Sequence, residues 1–471
     1  MYLDESNDKP RDECGVFGIY SPGDEVGFKT YFGLNALQHR GEESAGIAIS
    51  DGTEIHLHKK MGLVTDVFNE NLLSTLKGGI AIGHVRYSTS GDSSEVNAQP
   101  LLYRNYRGSV ALAHNGNLTN VSLLKKRLEP TRLSKEISTD SEIFFGFMAK
   151  YRQLPLEKIL ELCMSEISGS FSLVVMTKNS LIGLRDPYGM RPLCLGKLKG
   201  TKSGYVLASE TCAVETVGGE FIREIEPGEI VIIDKNGIHS IPTRSSSGNR
   251  HLCIFEYIYL SRSDSVIDGR TVNLVRRDFG RELAKEFPVE GDVVISVPDS
   301  GMAVAMGYAE ERGLPFREGL IRNRYMGRTF IRPGQKNREQ AVRMKFNTID
   351  EILQGQRVVI VDDSLVRGTT SSHIIRILRE AGAKEVHFLV ASPPLCYPCY
   401  YGIDISSSGE LVAARRSIEE IRLHIGADSL HYLDLERMLR VLKRPHDFCT
   451  ACFDGVYPVQ LLGTDSKVSI I

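Results

Sequence analysis

Continuous apolar runs alternate with helix-sized segments in the second half of the chain. The predicted strands are Asp292–Val297, Arg357–Val361 and Val386–Ala391, and the predicted helices are Met302–Arg312 and Thr370–Ala381. Strands without polar alternation are buried on both faces, which is typical of a parallel sheet covered by helices. Ligands of such α/β sheets bind at the carboxyl ends of the strands. The second half is therefore predicted to be an α/β domain with its ligand site at one edge of the sheet.

The first half, to about Thr243, follows a different pattern, in which short strands are separated by turns. Examples are Val16–Tyr20, Ala45–Ile49 and Ser172–Met176. Helices are predicted over residues 27–38, 120–129, 140–151 and 155–167. Strands and helices that occur in clusters predict an α+β fold or a layered sandwich. The polar segment Pro242–Gly248 is typical of a linker, which places the domain boundary near residues 244–250.

Length, charge and cysteine content narrow the classes of function. The 471 residues carry a net charge of -2, and roughly two to four globular domains are expected. The balanced charge argues against a nucleic-acid partner, and no apolar run approaches the ~18 residues of a membrane span. The polar N-terminus lacks a signal-peptide core, so we expect a cytoplasmic protein with no membrane partner. In that reducing compartment the nine cysteines are expected to be core residues, nucleophiles or metal ligands.

An anion-binding segment follows the predicted strand Arg357–Val361. Asp362 and Asp363 come first, and Gly368 and Thr369 lead into the next helix. Glycine, serine and threonine at a helix N-terminus allow backbone N–H groups to converge on a phosphate. The paired carboxylates suit sugar hydroxyls or Mg²⁺. The segment therefore predicts a phosphosugar ligand that carries Mg²⁺.

Residues Val358–Thr370 resemble the phosphoribosylpyrophosphate (PRPP) motif of type I phosphoribosyltransferases. By this resemblance Asp362 and Asp363 hold the ribose hydroxyls and Mg²⁺. The 5′-phosphate would be cradled by Ser364, Arg367, Gly368, Thr369 and Thr370. Val297–Gly301 is similar to the pyrophosphate loop of that family, which makes Ser300 a Mg²⁺ ligand or its neighbour.

A basic segment lies between these two motifs. Residues 323–345 contain seven Lys or Arg against one Glu, with Gly327 and Pro333–Gly334 as helix breakers. A mobile basic loop that closes on pyrophosphate would stabilise the developing negative charge and exclude water. We therefore expect Lys345 to contribute to PRPP binding. A solvated basic loop and an RNA contact are the alternatives.

Cys14 opens the first strand after thirteen polar residues, and polar motifs follow it along the first half. These motifs are Gln38–Glu42, Gly83–Ser88, Ala113–Leu118 and Ser138–Glu142. The set resembles class II glutamine amidotransferase domains, which are N-terminal nucleophile hydrolases. The resemblance implies a four-layer αββα sandwich over residues 14–245.

The same resemblance assigns the residues of a glutamine site. Cys14 is the nucleophile, and Asn115 and Gly116 donate hydrogen bonds to the oxyanion. Arg86 binds the α-carboxylate of glutamine, and Asp140 binds its α-amino group. An α-amine with a pKa of ~7.7–8.0 can activate the cysteine that bears it. Cys14 must then be the first residue of the mature chain, so residues 1–13 are predicted to be a cleaved propeptide.

Four further cysteines from separate segments suit either tetrahedral Zn²⁺ or an iron–sulfur cluster. They are Cys253, Cys399, Cys449 and Cys452. Their positions resemble the cluster ligands in the iron–sulfur branch of one amidotransferase family, which favours one structural [4Fe–4S] cluster per subunit. Cys396 is the competing neighbour of Cys399. The remaining cysteines, Cys163, Cys194 and Cys212, lie in apolar surroundings and are predicted to be core residues.

The order of the two halves resembles the amidophosphoribosyltransferase family, with residues 250–471 as the phosphoribosyltransferase domain and its C-terminal cluster segment. The implied reaction converts PRPP, glutamine and water into 5-phosphoribosylamine, pyrophosphate and glutamate, the committed step of de novo purine synthesis. One Mg²⁺ per subunit, a closed ammonia channel, feedback by purine nucleotides and a homotetramer are further expectations.

Two alternatives stay open from the sequence. A hexosamine-forming class II amidotransferase would share residues 14–245 but gives no reason for Asp362 and Asp363. A non-enzymatic PRPP-sensing regulator would keep residues 358–370, but it would need a DNA-binding region, and no helix-turn-helix pattern occurs in the first half.

Overall fold

The computed structural model describes residues 14–87, 94–105, 108–128, 139–200, 204–243, 250–323, 346–405 and 407–459. Three predictions fall outside these residues: the propeptide 1–13, the linker core 244–249, and the basic segment 324–345 with Lys345. Within the described ranges, no helix is long and apolar enough to cross a membrane.

Two antiparallel sheets form the centre of the first half. Across the first sheet the strands follow the order Gly219–Glu224, Cys194–Leu198, Tyr205–Ala208, Gly15–Tyr20, Ile80–Arg86, Ser44–Ser50 and Ile55–Met61. Across the second sheet the order is Gly237–Pro242, Glu229–Asp234, Leu181–Arg185, Gly169–Met176, Gly108–Leu118 and Leu101–Asn105. The strand that follows Cys14 therefore lies in the middle of its sheet.

Helices cover the outer faces of the two stacked sheets. Ala48 of the first sheet and Val174 of the second share one buried cluster between the sheets. Leu34 packs on the outer face of the first sheet, and Phe144 packs on the outer face of the second. The helices are Gly27–Ala36, Val64–Val67, Glu70–Thr75, Val121–Leu128, Ile143–Lys150, Leu156–Glu166 and Thr211–Thr216. The predicted αββα order of layers is confirmed.

A four-stranded parallel sheet forms the centre of the second half. Its strands follow the order Val293–Ser296, Arg357–Asp362, Glu385–Val390 and Ser429–Tyr432. Val293 lies opposite Val358, and Val358 lies opposite Val386. All four carboxyl ends therefore lie at one edge of the sheet. The first three strands were predicted to within two residues, whereas the fourth was not.

Helices pack on both faces of this parallel sheet, as predicted for an α/β domain. Phe279 and Leu283 pack against one face, and Ile374 and Ile421 pack against the other. The helices are Val272–Glu286, Met302–Arg312, Asp350–Leu353, Thr369–Glu380, Ile418–Ile425, Leu435–Val441 and Ala451–Asp454. A π-helical segment, Glu256–Leu260, precedes them.

Short elements connect the main layers. Leu252–Cys253 pairs in parallel with Phe448–Cys449, and the two antiparallel pairs are Val266–Ile267 with Arg270–Thr271 and Leu320–Arg322 with Phe346–Thr348. The 3₁₀ turns are Gln38–Arg40, Glu95–Asn97, Asp140–Glu142, Val412–Ala414 and Pro445–Asp447. The helix predicted over 27–38 ends at Ala36, because the chain tightens into the turn Gln38–Arg40.

Candidate functional site

Cys14 lies at the start of a central strand, where its backbone and side chain are both held. The Sγ–H group donates to the carbonyl of Tyr87 at 3.3 Å. The carbonyl of Cys14 accepts from Nε of Arg40 at 3.2 Å. Gly15 pairs with Val85, so the thiol lies beside the end of strand Ile80–Arg86. The structure thus places Cys14 and Arg86 at neighbouring strand ends, and both are buried.

The Asp140 carboxylate is oriented by the backbone around it. Oδ2 accepts from the N–H of Leu118 at 3.1 Å, and Oδ1 accepts from the N–H of Ser141 at 2.8 Å. Asp140 begins the 3₁₀ turn Asp140–Glu142, and the Glu142 carboxylate accepts a hydrogen bond from the N–H of Thr139 at 2.9 Å. The sequence Thr-x-x-Glu is the capping signal that fixes this geometry. These contacts leave Asp140 at the end of the strand that carries Asn115 and Gly116.

Asn115 and Gly116 have the features that an oxyanion site requires. Asn115 is fully buried, and within the described part of the chain neither its amide nitrogen nor its amide oxygen has a hydrogen-bond partner. Such an orphaned buried amide costs about 1–3 kcal/mol unless a ligand satisfies it. Gly116 has φ +136°, and a Cβ there would lie 2.1 Å from the carbonyl oxygen of Ser170. Only glycine fits this position.

Two buried histidines, which the sequence analysis did not assign, join the two sheets at this site. Nε2 of His84 donates to the carbonyl of His114 at 2.9 Å. This bond links the strand that ends in Arg86 to the strand that continues into Asn115. Burial lowers the pKa of His84 to about 3, so its imidazole is neutral at physiological pH. His114 also has a lowered pKa because of burial, and its Nδ1 contacts Oγ of Ser141 at 2.8 Å.

The paired carboxylates of the second half lie at the carboxyl edge of the parallel sheet. Asp362 ends its strand, and its Oδ1 accepts from the N–H of Asp363 at 2.9 Å. Oδ1 of Asp363 accepts from the hydroxyl of Ser364 at 2.7 Å, and its Oδ2 accepts from the hydroxyl of Ser300. The structure therefore brings Ser300 to the carboxylate with which the sequence had grouped it. Oxygen donors in this arrangement suit Mg²⁺.

The following helix begins at the anion-binding segment. Gly368 precedes helix Thr369–Glu380 with φ +82°, a conformation that favours glycine. Thr369 and Thr370 lie in the first turn of that helix, where backbone N–H groups and the helix dipole favour a phosphate. Arg367 instead forms an ion pair with Glu410 at 2.6 Å. Its guanidinium is thus partly committed to a protein carboxylate.

The four predicted cluster cysteines line a single cavity, together with apolar and aromatic side chains. The lining residues are Met190, Arg191, Cys253, Cys399, Tyr401, Ile403, Cys449, Ala451 and Cys452. Within the described ranges no three His, Cys, Asp or Glu side chains are close enough to hold a single metal ion. Cysteine thiolates hold both Zn²⁺ and iron–sulfur clusters, so the four side chains suit either kind of site.

Cys396 does not line this cavity. Its Sγ lies 3.8 Å from the carbonyl of Ala413, so the thiol faces another segment. By contrast, Cys399 Sγ accepts from the N–H of Tyr401 at 3.4 Å beside the cavity. Burial raises the pKa of Cys449 to about 12, so this thiol stays protonated unless a metal binds it. Cys163, Cys194 and Cys212 are buried, as predicted for core residues.

Comparison with known proteins finds both halves of the chain in the same order. A glutamine amidotransferase domain model matches residues 84–216, and a phosphoribosyl transferase domain model matches residues 273–393. The amidophosphoribosyltransferase of Mycobacterium tuberculosis is 47% identical over 96% of this chain and 87% of its own length. The chain belongs to the amidophosphoribosyltransferase family.

Solved structures agree with this membership of the amidophosphoribosyltransferase family. The glutamine PRPP amidotransferase of Bacillus subtilis, complexed with ADP and GMP, is 47% identical, with a TM-score of 0.89 over 96% of this chain and 98% of that chain. A structure of the allosteric regulatory enzyme of purine biosynthesis is 46% identical, with a TM-score of 0.90 over 96% of this chain and 97% of that chain. The chain is thus a glutamine-dependent PRPP amidotransferase of purine biosynthesis, and neither alternative reading is supported.

The two halves of the chain share a buried polar interface that was not predicted from the sequence. Tyr400 and Tyr401 of the second half accept hydrogen bonds through their carbonyls from Asn117 at 2.9 Å and Ser170 at 2.6 Å. Glu256 of the second half also belongs to this interface, because it pairs with Arg40 of the first half. The sequence indicates its burial, because Glu256 is the one charged residue in the apolar run 252–260. An isolated charge in such a run indicates a buried ion pair.

Proposed function

We propose that Cys14 is the glutamine nucleophile and that Asn115 and Gly116 stabilise the oxyanion formed at the amide carbon. The orphaned amide of buried Asn115 carries this proposal, because a developing oxyanion would supply the missing acceptor. Attack by the Cys14 thiolate forms a C–S bond, and the C–N bond of the amide then breaks to release ammonia. Water hydrolyses the thioester to glutamate and regenerates the thiol.

Two further groups of the first half would bind and activate the substrate. Arg86 would pair with the α-carboxylate of glutamine, and Asp140 with its α-amino group. After cleavage between Glu13 and Cys14, the free α-amine of Cys14 would accept the thiol proton and return it to the departing ammonia. An α-amine near its ordinary pKa of ~7.7–8.0 is suited to both transfers. The propeptide 1–13 is thus part of the proposal.

The second half would bind PRPP at the carboxyl edge of its parallel sheet. Asp362 and Asp363 would hold the ribose hydroxyls, and the N-terminus of helix Thr369–Glu380 would hold the 5′-phosphate, with Ser364, Arg367 and Gly368 around it. Lys345 of the basic segment would contribute to PRPP binding. Ser300, Asp362 and Asp363 would hold one Mg²⁺, which supplies charge neutralisation of pyrophosphate when bound. Ammonia forms the C1–N bond as the C1–O bond to pyrophosphate breaks, and closure of residues 323–345 would exclude water.

The four-cysteine cavity supports a structural [4Fe–4S] cluster held by Cys253, Cys399, Cys449 and Cys452. The reaction transfers no electrons, so the cluster's contribution would be to link the segments around residues 253, 399 and 450. Replacement of Cys399 by Ala should remove the bound iron from anaerobically purified protein. Cys396→Ala is the matched control and should keep about four iron atoms per chain. Equal iron contents in the two variants would exclude Cys399 as a ligand.

The remaining assignments concern regulation and assembly. The Bacillus subtilis relative is complexed with ADP and GMP, which supports feedback by purine nucleotides in this chain. We place the domains at residues 14–245 and 250–471, and expect a closed ammonia path between them because bulk water would protonate ammonia. A cytoplasmic homotetramer completes the proposal. Light scattering would report the oligomer directly.

The deciding experiment measures glutamate release from glutamine with and without PRPP and Mg²⁺, on anaerobically purified protein. We expect strong stimulation by PRPP, because closure of the second site would be coupled to the first. Cys14→Ala should abolish glutamate release and leave ammonia-dependent synthesis of 5-phosphoribosylamine intact. Cys163→Ala, which alters a buried cysteine in the same half, is the control and should behave like the parent protein.

Any of three results would contradict the proposal. Glutamate release that ignores PRPP would mean that the two sites are not coupled. Activity in Cys14→Ala would mean that another residue attacks glutamine. Intact mass of the active protein tests the propeptide, because an active chain that retains residues 1–13 excludes the α-amine as the base.

A further inference from the structure

Arg40 is a fully buried cation that contacts the backbone of Cys14. It lies in the 3₁₀ turn Gln38–Arg40 and exposes 1% of its surface. Its Nε donates to the carbonyl of Cys14 at 3.2 Å. The mature nucleophile would have no residue before it, so this bond would help to fix its backbone. The orientation of Arg40 therefore bears on the position of the thiol.

Glu256, from the other half of the chain, holds the outer end of Arg40. The two side chains form a bidentate pair, with Nη1 donating to Oε2 at 3.0 Å and Nη2 donating to Oε1 at 2.8 Å. Glu256 is 0% exposed and begins the π-helical segment Glu256–Leu260. Short π-helical segments often occur at functional sites. A fork-to-fork pair of this kind fixes direction as well as distance.

Glu210 completes the charge balance around Arg40. It accepts from Nη1 of Arg40 at 2.7 Å and from the hydroxyl of Ser265 at 2.6 Å. Arg191 lies 3.9 Å from Glu256 on its other side. Arg40 is therefore held by one carboxylate from each half, and Glu256 is the one supplied by the phosphoribosyltransferase half.

We propose that Glu256 is a positioning residue for glutamine hydrolysis: it orients Arg40, and Arg40 fixes the backbone of Cys14. The second half thus completes the glutamine site with a residue that touches neither substrate. The inference rests on the proposed role of Cys14 as the nucleophile. It predicts a loss confined to glutamine-dependent activity, because within the described residues the polar partners of Glu256 are Arg40, Ser261 and Arg191.

The test compares Glu256→Gln with Glu224→Gln in the full-length protein. Glu224 also crosses the interface, where it accepts from the N–H of Asp268 at 2.5 Å, but it is not bonded to Arg40. For Glu256→Gln we expect kcat with glutamine to fall about 10- to 100-fold at nearly constant KM, because misplacement by ~1 Å has effects of this size. Ammonia-dependent synthesis should stay within about twofold. Glu224→Gln should keep both activities.

Thermal melting and intact mass accompany the kinetics, with rates expressed per cleaved chain. If Glu256→Gln does not fold, Arg40→Lys serves in its place, because it keeps the charge but loses the donor to Cys14. A parallel loss of both activities, or no loss, would overturn the inference. Cys14→Ala distinguishes failure of the nucleophile assignment from failure of the positioning role. If Cys14→Ala retains glutamine hydrolysis, the nucleophile assignment is wrong. If Cys14→Ala is inactive while Glu256→Gln is normal, only the positioning role of Glu256 is wrong.

Discussion

The two candidate sites of this chain are built in different ways. In the first half, Cys14, Arg86, Asn115 and Asp140 come from four separate segments of the chain, and all four are buried. In the second half, most of the site lies in the continuous run Asp362–Thr370, with backbone N–H groups and two carboxylates at a sheet edge. The glutamine site therefore depends on long-range packing, whereas the PRPP site depends on local backbone geometry.

This difference predicts which functions a lesion should affect. Ammonia can bypass a damaged glutamine site, so changes in the first half should spare ammonia-dependent synthesis. No substrate bypasses the PRPP site, so changes there should stop synthesis from both nitrogen sources.

The largest effect is expected for Asp363→Asn. The substitution removes a carboxylate that would hold the ribose hydroxyls and Mg²⁺. A bound metal ion stabilises the transition state by several kcal/mol, which corresponds to at least about 10³-fold in rate. Both glutamine-dependent and ammonia-dependent synthesis should fall by that factor, measured as pyrophosphate release. Asp350→Asn, in the short helix Asp350–Leu353, is the control and should keep both activities. Ammonia-dependent synthesis that survives in Asp363→Asn would show that this carboxylate is not needed at the PRPP site.

A smaller and more selective effect is expected for Asn115→Ala. Loss of one oxyanion donor costs about 10²–10³-fold in kcat. Glutamate release should fall by that factor, with little change in KM and with ammonia-dependent synthesis retained. Asn71→Ala, in helix Glu70–Thr75, is the matched amide control. Loss of ammonia-dependent synthesis in Asn115→Ala would show that its side chain supports the fold rather than the oxyanion.

His84 should make the first half sensitive to acid. Burial lowers its pKa to about 3, so between that value and ~6.5 the unfolded chain binds a proton that the folded chain does not. Stability from this group is complete above pH ~6.5 and is lost as the pH falls toward 3. His84→Gln keeps a donor for the His114 carbonyl but removes the titrating group. Between pH 7 and 4 its free energy of unfolding should therefore fall by about 3 kcal/mol less than that of the parent protein.

Urea unfolding at several pH values measures this effect, with the exposed His239→Gln as the control. Asp186 contributes a slope of opposite sign, because burial raises the pKa of its carboxyl to about 6. The difference between parent and variant cancels that contribution. If the free energy of unfolding had the same pH dependence in His84→Gln and the parent, the pKa of His84 would be the same in the folded and unfolded states, which contradicts the prediction.

The smallest effect is expected for Gly368→Ala. Gly368 has φ +82° and its Cβ position is 3.4 Å from the nearest side chain, so alanine fits but is strained by about 1–2 kcal/mol. Gly218 has φ +78° with no atom near its Cβ position, so Gly218→Ala should lose similar stability in thermal melts. The KM for PRPP should rise only in Gly368→Ala. Equal KM values for PRPP in Gly368→Ala and Gly218→Ala would show that Gly368 is not part of the phosphate site.

The PRPP segment could be predicted from the sequence because its residues are adjacent. An apolar strand, two aspartates and a glycine before a helix specify one local geometry, and the structure reproduces it from Arg357 to Thr369. The fold class and the layers of both halves were likewise predictable from strand and helix patterns. Resemblance supplied the distant residues of the glutamine site, since no local rule joins Cys14 to Asp140.

The cross-domain contacts could not be predicted in the same way. Arg40 and Glu256 are 216 positions apart, and no periodicity or motif links positions at that separation. The π-helical segment Glu256–Leu260 reads as an ordinary apolar helix in the sequence. The fourth strand, Ser429–Tyr432, has polar residues at alternate positions, so a pattern of continuous apolar runs does not predict it.

The pairing of Arg40 with Glu256 has a consequence for cooperativity. If the halves were produced as separate proteins, each would keep one member of a buried ion pair, and breaking such a pair costs about 3–5 kcal/mol. Although the sequence divides into two domains, the two should therefore unfold in a single thermal transition. Exchange of one half for that of a distant relative should succeed only when the incoming half supplies the matching member of the pair.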